Sequence, residues 1–316
     1  MKNQLPELSD IQQAAKRIQP VARQTPVFES GYFNRQSGGR VYFKCENFQR
    51  AGAFKFRGAA NAIFSLSKEE GARGIVTHSS GNHAQAVALA TALRGFKATI
   101  VMPENAPQVK INAVREYGAE IIFCESSISA REESTRKVIE ETGAHFIHPY
   151  NHPDVIAGQG TATLELLKEV PNLDFILTPV GGGGLLSGTA IAAKSIKPEI
   201  TIIGCEPELA DDARRSFLSK KLEPVLRSDT IADGLRTSLG ELTLAAILNY
   251  AYDIITVSER SIIQNMRDIW ERMNLIAEPS SAVPVAVLTS GKIDLRGKKV
   301  GVILTGGNVD LGELPF

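Results

Sequence analysis

Short apolar segments alternate with longer segments of helical spacing through most of this 316-residue sequence. Between residues 71 and 148 the spacing predicts strands at 74–77, 97–102, 119–124 and 144–148, separated by helices at 82–94, 107–117 and 127–142. The second half continues with strands at 174–180, 200–205 and 300–304. Such alternation is typical of parallel sheets that are covered by helices on both faces. The predicted fold class is therefore α/β with mostly parallel sheets.

Two α/β domains account for this length and pattern. We place the smaller domain at residues 71–145, and the larger one at residues 1–70 and 146–316. The remaining predicted elements are helices at 9–23, 55–66, 154–169, 184–196, 241–250, 259–274 and 280–289 and a strand at 41–45. Residues 206–240 show no regular pattern.

Composition excludes several classes of protein. Lys+Arg and Asp+Glu are both 35, so the net charge of zero argues against nucleic acid or an anionic membrane as a partner. No apolar run approaches the ~20 residues that span a bilayer, and the N-terminus lacks an apolar signal core. Cys45, Cys124 and Cys205 lie far apart and lack metal-ligand spacing. We expect reduced core cysteines in a cytoplasmic protein.

Lys55 lies between two phenylalanines, in the stretch AGAFKFRGA at residues 51–59. Apolar neighbours that desolvate an ammonium group lower its pKa and make a neutral amine available as a nucleophile for carbonyls. The alternative is a lysine at a helix start whose stem is buried and whose ammonium reaches solvent. The stretch by itself leaves both interpretations open.

A run of four glycines follows the strand predicted at 174–180 and directly precedes a helix: Gly181, Gly182, Gly183 and Gly184. Such a loop exposes backbone N–H groups beside the positive end of a helix, which suits a single phosphate. It lacks the Lys-Ser/Thr pair of a nucleotide P-loop and the context of the dinucleotide fingerprint. A turn that permits close packing of helix on strand is the structural alternative.

Ser79 and Ser80 precede the helix predicted at 82–94, in the segment HSSGNH at residues 78–83. Their hydroxyls and the free N–H groups of the helix start suit a carboxylate. The same serines would also serve as ordinary helix caps. An acidic segment, EPELADD at residues 206–212, follows another predicted strand. It suits a hard divalent cation, although a solvated acidic turn has the same composition.

Thr305 ends the strand predicted at 300–304 and is followed by two glycines. Because the carboxyl ends of parallel strands gather at one edge of a sheet, we expect this hydroxyl to lie near the other loops. An aldehyde cofactor that carries one phosphate and acts on amino acids matches these features. They are a nucleophilic amine, a loop suited to a phosphate, a turn suited to a carboxylate and a hydroxyl at a strand end. That cofactor is pyridoxal 5′-phosphate (PLP).

The motifs at residues 52–59, 79–83, 181–184 and 304–308 resemble those of fold-type II PLP enzymes, and the resemblance covers nearly the whole chain. Within that family the sequence is similar to the serine/threonine dehydratases. It is nearer still to the group that contains serine racemase and threo-3-hydroxyaspartate dehydratase, through IADGLR at 231–236, WERM at 270–273 and Glu278-Pro279. The resemblance implies a tryptophan synthase β-like fold with two three-layer α/β domains.

The resemblance also implies roles for individual residues. Lys55 would form a Schiff base with PLP, and Ser80 would be a second acid/base group on the opposite face of the ring. The other implied cofactor contacts are Phe54 against the ring, Asn82 at the 3′ oxygen, Gly181, Gly182, Gly183 and Gly184 at the phosphate, and Thr305 at the pyridine nitrogen. The implied contacts of the substrate carboxylate are Ser79, Ser80, Asn82, His83 and, more weakly, Arg131. The implied ligands of Mg²⁺, Ca²⁺ or Mn²⁺ are Glu206, the carbonyl of Ala210 and Asp212.

The expected activity is elimination of water from L-serine, L-threonine or threo-3-hydroxyaspartate, giving a 2-oxo acid and ammonia, together with racemisation of serine. A β-replacement synthase of the cysteine synthase type is the alternative, and a non-catalytic amino-acid sensor is a third possibility. Ala53 departs from the family, because many dehydratases have serine there. The chain ends soon after residue 308, so no regulatory domain is expected. The resemblance further implies a homodimer and activation by ATP.

The preferred substrate depends on cationic side chains that the sequence does not place. Arg57, Arg131 and Arg236 are the candidates for holding a second acidic group, as in 3-hydroxyaspartate.

Overall fold

The computed structural model of the chain describes residues 4–106 and 108–316. Pro107, which was expected to open a helix, and residues 1–3 of the N-terminal segment lie outside this part of the chain. The strands in it are β1 Val27–Glu29, β2 Arg40–Cys45, β3 Ile75–His78, β4 Ala98–Pro103, β5 Glu120–Cys124, β6 His145–Phe146, β7 Phe175–Pro179, β8 Thr201–Pro207, β9 Asp253–Val257 and β10 Lys299–Leu304.

The α-helices follow the predicted alternation. They are α1 Leu8–Ile18, α2 Gly31–Ser37, α3 Lys55–Phe64, α4 Lys68–Ala72, α5 Asn82–Leu93, α6 Gln108–Glu116, α7 Ile128–Thr142, α8 Pro153–Glu169, α9 Gly184–Ile196, α10 Asp212–Ser219, α11 Glu241–Tyr250, α12 Glu259–Met273 and α13 Pro279–Thr289. None of the helices in the described ranges is both long enough and apolar enough to cross a membrane.

Two sheets organise these elements. The larger has the strand order β1-β2-β10-β7-β8-β9, and the smaller has the order β5-β4-β3-β6. Apart from the β1–β2 pair, which is antiparallel, the strand pairs are parallel. The α/β class with mostly parallel sheets is thus confirmed. The smaller sheet spans Ile75 to Phe146, close to the predicted domain at 71–145, whose boundaries stay a prediction.

The central strands are buried on both faces, as a continuous apolar sequence predicts. Val302 of β10 pairs with Leu177 of β7, and both side chains are fully buried. A separate apolar cluster packs α3 and α5 against the smaller sheet, through residues such as Phe56, Val87 and Ile100. The two sheets therefore have their own cores, and α3 is part of the one beneath the smaller sheet.

The prediction missed β1, α2, α10 and β9, and it did not separate the five-residue helix α4 from α3. β1 is a three-residue edge strand, too short to show alternation, and it is held by its pairing with β2. β9 pairs with the end of β8 at the other edge of the sheet. Helix α10 begins with Asp212-Ala213-Arg214-Arg215, and its polar start hides the helical period. In each case tertiary pairing or packing stabilises an element that the local sequence specifies weakly.

Helices α3, α8 and α9 cross closely because glycines lie at their contacts. A Cβ atom on Gly158 would lie 2.6 Å from both the carbonyl oxygen of Arg57 and the Cα of Gly58. A Cβ atom on Gly188 of α9 would lie 2.6 Å from the amide nitrogen of Gly160. This arrangement joins the helix that begins with Lys55 to the helix that begins after the glycine run.

Gly188→Ala is expected to lower the free energy of unfolding by about 1–3 kcal/mol, because the added methyl group meets backbone atoms that cannot move aside. Denaturant unfolding monitored by circular dichroism measures this change. Gly31→Ala is the matched control, since its Cβ would meet an arginine side-chain nitrogen at an ordinary 3.6 Å. Equal stability of the two variants would contradict the close crossing of α8 and α9.

Candidate active site

The start of α3 is fixed to the end of β10 by backbone contacts. The N–H of Phe54 donates to the carbonyl of Thr305 at 2.9 Å, and Ala53 forms an antiparallel bridge with Gly306. One residue further from the helix, the N–H of Gly307 donates to the carbonyl of Gly52 at 3.0 Å. The lysine motif and the strand-end hydroxyl, which are about as far apart in sequence as this chain allows, are therefore neighbours.

The amine of Lys55 points into the protein. Its Nζ donates to the carbonyl of Pro149 at 2.9 Å and lies 5.3 Å from the centroid of the Phe54 ring. Burial lowers the pKa of Lys55 from 10.5 to about 8, against the opposing effect of the Glu278 carboxylate. This is the desolvation that the flanking phenylalanines predict, and it leaves a substantial fraction of neutral amine near neutral pH.

Asn82, the first residue of α5, lies between two residues that the sequence reasoning gave no role. Its Nδ2 donates to Oε1 and Oε2 of Glu278 at 2.9 and 3.0 Å, and its Oδ1 accepts a bond from Asn308 Nδ2 at 2.9 Å. Asn308 also donates to the carbonyl of Ala51 at 2.8 Å. Asn82 is thereby oriented from both ends of its amide. Two features of the sequence could have pointed to these residues. Glu278-Pro279 directly precedes the helix α13, and Asn308 directly follows Gly306-Gly307.

Glu278 is buried, and no lysine, arginine or histidine of the described residues forms an ion pair with it. Burial and the nearby negative charge of Asp233 raise the pKa of Glu278 to about 7, while the Asn82 bond acts in the opposite direction. A Cβ atom on Gly306 would lie 2.7 Å from Glu278 Oε1, so glycine is required where the β10 loop passes this carboxylate.

The glycine run follows β7, and α9 begins at its last member. In residues 4–106 and 108–316, no hydrogen bond uses the backbone N–H of Gly181, Gly182 or Gly183. Gly183 has a φ of 85°, a conformation that favours glycine. The ring of Tyr150 packs against Gly182 so closely that a Cβ atom there would overlap it. The free backbone N–H groups and the start of α9 suit a phosphate, as the sequence predicts. Tyr150 is the residue after Pro149, whose carbonyl accepts the hydrogen bond from Lys55.

Ser79 and Ser80 lie in the loop between β3 and α5, and both are half-buried. Ser79 Oγ accepts the N–H of Gly81 at 3.2 Å. His83 is buried, with Nε2 3.2 Å from the carbonyl oxygen of Ile147, and burial and the charge of Lys55 lower its pKa well below 6.5. Nδ1 of His83 has no partner among the described residues. The imidazole is therefore neutral and faces a carbonyl.

Arg131 and Arg57 differ in what surrounds them. Arg131 lies on α7, its charge helps to lower the pKa of half-buried His78 at the end of β3, and its Nε has no partner in the described ranges. Arg57 is fully buried and donates to both oxygens of Glu46, at 2.7 and 2.8 Å, and to both oxygens of Glu165, at 2.7 and 2.8 Å. Arg57 is thus structural, and it is wrong as a candidate for holding a second acidic group.

The acidic segment at residues 206–212 is partly buried, so a solvated turn is not what the structure shows. Glu206 accepts the N–H groups of Ala213 and Arg214, each at 2.8 Å. Both oxygens of Asp212 are buried and have no partner within the described chain, and burial raises the pKa of Asp212 to about 7. The described residues contain no group of three His, Cys, Asp or Glu side chains placed for a metal, and the predicted set has two carboxylates and the carbonyl of Ala210. The unpartnered Asp212 oxygens fit a cation.

The Lys55 amine should react with an acylating reagent with a half-maximal rate near pH 8, because burial lowers its pKa to about 8. Mass spectrometry of protein freed of cofactor measures the rate, with Nα-acetyllysine as the reference. Glu278→Gln should move the midpoint to lower pH, since the Glu278 carboxylate raises the Lys55 pKa. A Lys55 profile that coincides with the reference would refute the desolvated amine.

Comparison with known proteins agrees with this geometry. The family model described as pyridoxal-phosphate dependent enzyme matches residues 18–306. The beta-hydroxyaspartate dehydratase of Paracoccus denitrificans is 47% identical over 312 residues, 99% of each chain. The serine racemase of Dictyostelium discoideum is 49% identical over 311 residues, 97% of this chain and 96% of that protein. The structure of maize serine racemase has a TM-score of 0.95 and 45% identity, covering 98% of this chain and 95% of that one. This chain belongs to the pyridoxal-phosphate dependent enzymes of fold type II.

Proposed function

We propose that this chain is a PLP-dependent ammonia-lyase that removes water from a 3-hydroxy amino acid, and that it also racemises serine. The observation that carries the proposal is half-buried Lys55, whose amine donates to the Pro149 carbonyl and has its pKa lowered to about 8, on the helix start that is paired with the end of β10, where the Thr305 hydroxyl is buried. The relatives named above act, by their names, as a dehydratase and as racemases. They support elimination and racemisation, and they give no support to the β-replacement alternative.

PLP, when bound, supplies an electron sink that stabilises negative charge at the substrate Cα. Lys55 Nζ is the group that takes the Cα proton, because a base works best when its pKa lies near the working pH. Thr305 at the ring nitrogen carries no charge, so it does not hold a proton on that nitrogen as a carboxylate would. Phe54 would lie against the ring, the Asn82 side chain would face the 3′ oxygen, and the free N–H groups of residues 181–183 would hold the phosphate.

The substrate carboxylate is proposed to bind at the start of α5, where the helix N–H groups are not used within the helix. Ser79 and Ser80 contribute hydroxyls there, and Asn82 contributes its backbone N–H, because its side-chain amide already donates to Glu278. The His83 imidazole already faces the carbonyl of Ile147, so the contribution we assign to His83 is its backbone N–H. Ser80, on the side opposite Lys55, returns a proton to Cα, which inverts the amino acid instead of dehydrating it.

Arg131 is the residue we assign to a second acidic group, as in 3-hydroxyaspartate. Arg57 is saturated by two carboxylates, and exposed Arg236 donates twice to the carbonyl of Thr230, at 2.9 and 2.6 Å. The unpartnered Nε of Arg131 and its position near His78 support this assignment. An arginine whose donors are not taken by the protein can form the bidentate contact that a carboxylate prefers.

We also propose a divalent cation, Mg²⁺, Ca²⁺ or Mn²⁺, bound by Glu206, the carbonyl of Ala210 and Asp212. Its role is to stiffen the larger sheet at the junction of β8 and α10. Two further proposals, a homodimer and activation by ATP, are supported by the likeness to serine racemases alone. The proposed cytoplasmic location is supported by three buried free thiols, those of Cys45, Cys124 and Cys205.

Ser80→Ala should suppress racemisation of L-serine more than elimination, because the proton on the opposite face is needed for inversion alone. The assay is a panel of L-serine, D-serine, L-threonine and the 3-hydroxyaspartate isomers, scored for oxo acid and for inverted amino acid. Lys55→Ala is the reference variant, and it should abolish both reactions and the visible absorbance of the bound cofactor. Equal losses of both reactions in Ser80→Ala would argue against the assigned role of Ser80, and activity in Lys55→Ala would overturn the proposed function.

Asp212→Asn should remove the rise in melting temperature that Mg²⁺ or Ca²⁺ gives to the metal-free enzyme, because it removes one ionised cation ligand. Differential scanning fluorimetry with and without a chelator measures the effect. Asp211→Asn is the matched control, since Asp211 pairs with Arg215 at 2.9 Å and is not a proposed ligand. A wild-type melting temperature and activity that chelator leaves untouched would count against the cation.

A further inference from the structure

Two buried hydroxyls meet at the end of β10. Ser281 Oγ lies 3.0 Å from Thr305 Oγ1, and neither side chain is more than 2% exposed. Ser281 belongs to the first turn of α13, and its Oγ also lies 2.7 Å from the carbonyl oxygen and 2.8 Å from the amide nitrogen of Gly306. The function proposed above gives Ser281 no role, although Ser281 contacts the residue assigned to the ring nitrogen.

The protons on these groups can be counted. The N–H of Gly306 can only donate a hydrogen bond, and the carbonyl of Gly306 can only accept one. Ser281 has one proton, and the 2.7 Å contact with the Gly306 carbonyl requires that proton. The 3.0 Å contact between the hydroxyls then needs the proton of Thr305. In this first arrangement Thr305 offers lone pairs, and no proton, to any other partner.

A second arrangement of the same atoms frees that proton. The Gly306 carbonyl also accepts the N–H of Glu278 at 3.0 Å, so it keeps a donor if Ser281 turns its proton to Thr305. Thr305 can then donate elsewhere. The second arrangement has one hydrogen bond fewer within the protein, and it becomes the better one when an outside acceptor takes the Thr305 proton.

We propose that Ser281 is a positioning residue for the cofactor, and that the Ser281–Thr305 pair reverses its direction when PLP binds. Ser281 then donates to Thr305, and Thr305 donates to the ring nitrogen. This inference rests on the proposed function, which places the ring nitrogen beside Thr305. A hydroxyl that accepts a hydrogen bond becomes a better donor, because hydrogen bonds in a chain polarise one another. Ser281 therefore strengthens cofactor binding without touching the cofactor.

The test is a double-mutant cycle on the affinity for PLP. Holoenzyme is stripped of cofactor and titrated with PLP while the absorbance of the Lys55-bound form is followed. Ser281→Ala should weaken the affinity about three- to ten-fold, the effect of one hydrogen bond. In a Thr305→Val background the same change should alter the affinity by less than about twofold, because the coupling is lost. Equal weakening in both backgrounds would show a structural role for Ser281 and overturn the inference.

Ser280→Ala is the matched control, because Ser280 is equally buried but its hydroxyl accepts the N–H of Gly234 at 3.2 Å and not a bond from Thr305. Its affinity for PLP should stay within about twofold of wild type. If Ser281→Ala does not fold, Ser281→Cys replaces it in the same cycle, since a thiol is a weak donor and acceptor. A second readout is the ¹⁵N shift of labelled PLP, which should move in Ser281→Ala and not in Ser280→Ala.

The outcomes of this cycle distinguish a failure of this inference from a failure of the proposed function on which it rests. The Ser281–Thr305 pair that reverses its hydrogen bond is called the relay here. Failure of PLP to bond to Lys55 in the wild type would overturn the proposed function and the relay together. Unchanged affinity in Thr305→Val would overturn the placement of the ring nitrogen and, with it, the relay. If Thr305→Val weakens the affinity for PLP but the effects of Thr305→Val and Ser281→Ala simply add, the relay alone is overturned and the proposed function stays in place.

Discussion

The pairing of residues 52–54 with residues 305–307 is the constraint on which the site depends. Two backbone hydrogen bonds, which together form the antiparallel bridge between Ala53 and Gly306, hold the start of α3 against the end of β10. Glycine is needed on both sides, because a Cβ on Gly52 would overlap the Asn308 side chain and one on Gly306 would meet Glu278. The amine of Lys55 and the hydroxyl of Thr305 are thus positioned by main-chain geometry, which side-chain substitutions elsewhere disturb little. The close contacts at the glycines of α3, α8 and α9 then connect this junction to the glycine run at residues 181–184.

Much of the fold could be predicted from the sequence because its central strands are apolar runs and because Gly95, Gly118 and Gly143 mark the ends of the helices of the smaller domain. The loops at residues 79–83, 181–184 and 305–308 were also predictable as candidate sites, since each follows a strand. Packing or helix capping could explain each loop by itself, and the combination of the loops indicated a cofactor. Edge strands β1 and β9 were missed because pairing with a neighbour, not their own composition, stabilises them. A single sequence carries no sign of which distant strand lies beside a given segment.

The site shows the same division. Lys55, Asn82, the glycine run and Thr305 carry their chemistry in local sequence, whereas Ser281 and Asn308 matter through contacts made across more than 200 residues or between elements. Arg57 illustrates the converse error. Its motif position suggested a possible contact for an acidic substrate, but Glu46 and Glu165 surround it from separate elements. Which cation is free for a ligand is a property of the packed structure.

Buried Lys44 and Arg57 differ from half-buried Lys55 in one respect that bears on reactivity, the kind of acceptor that each cation has. Lys44 donates to Glu165 at 2.6 Å, and Arg57 pairs with two carboxylates, so each of these positive charges has a carboxylate in direct contact. Lys55 lies two residues before Arg57, and the acceptor on its Nζ is a carbonyl. The nearby carboxylate, Glu278, is bonded by the Asn82 amide instead. A direct ion pair would hold the proton on Lys55 more strongly than the through-space charge of Glu278 does. Because both Glu278 oxygens accept from Asn82 and Lys55 Nζ donates to a carbonyl, the described structure has no such pair at Lys55.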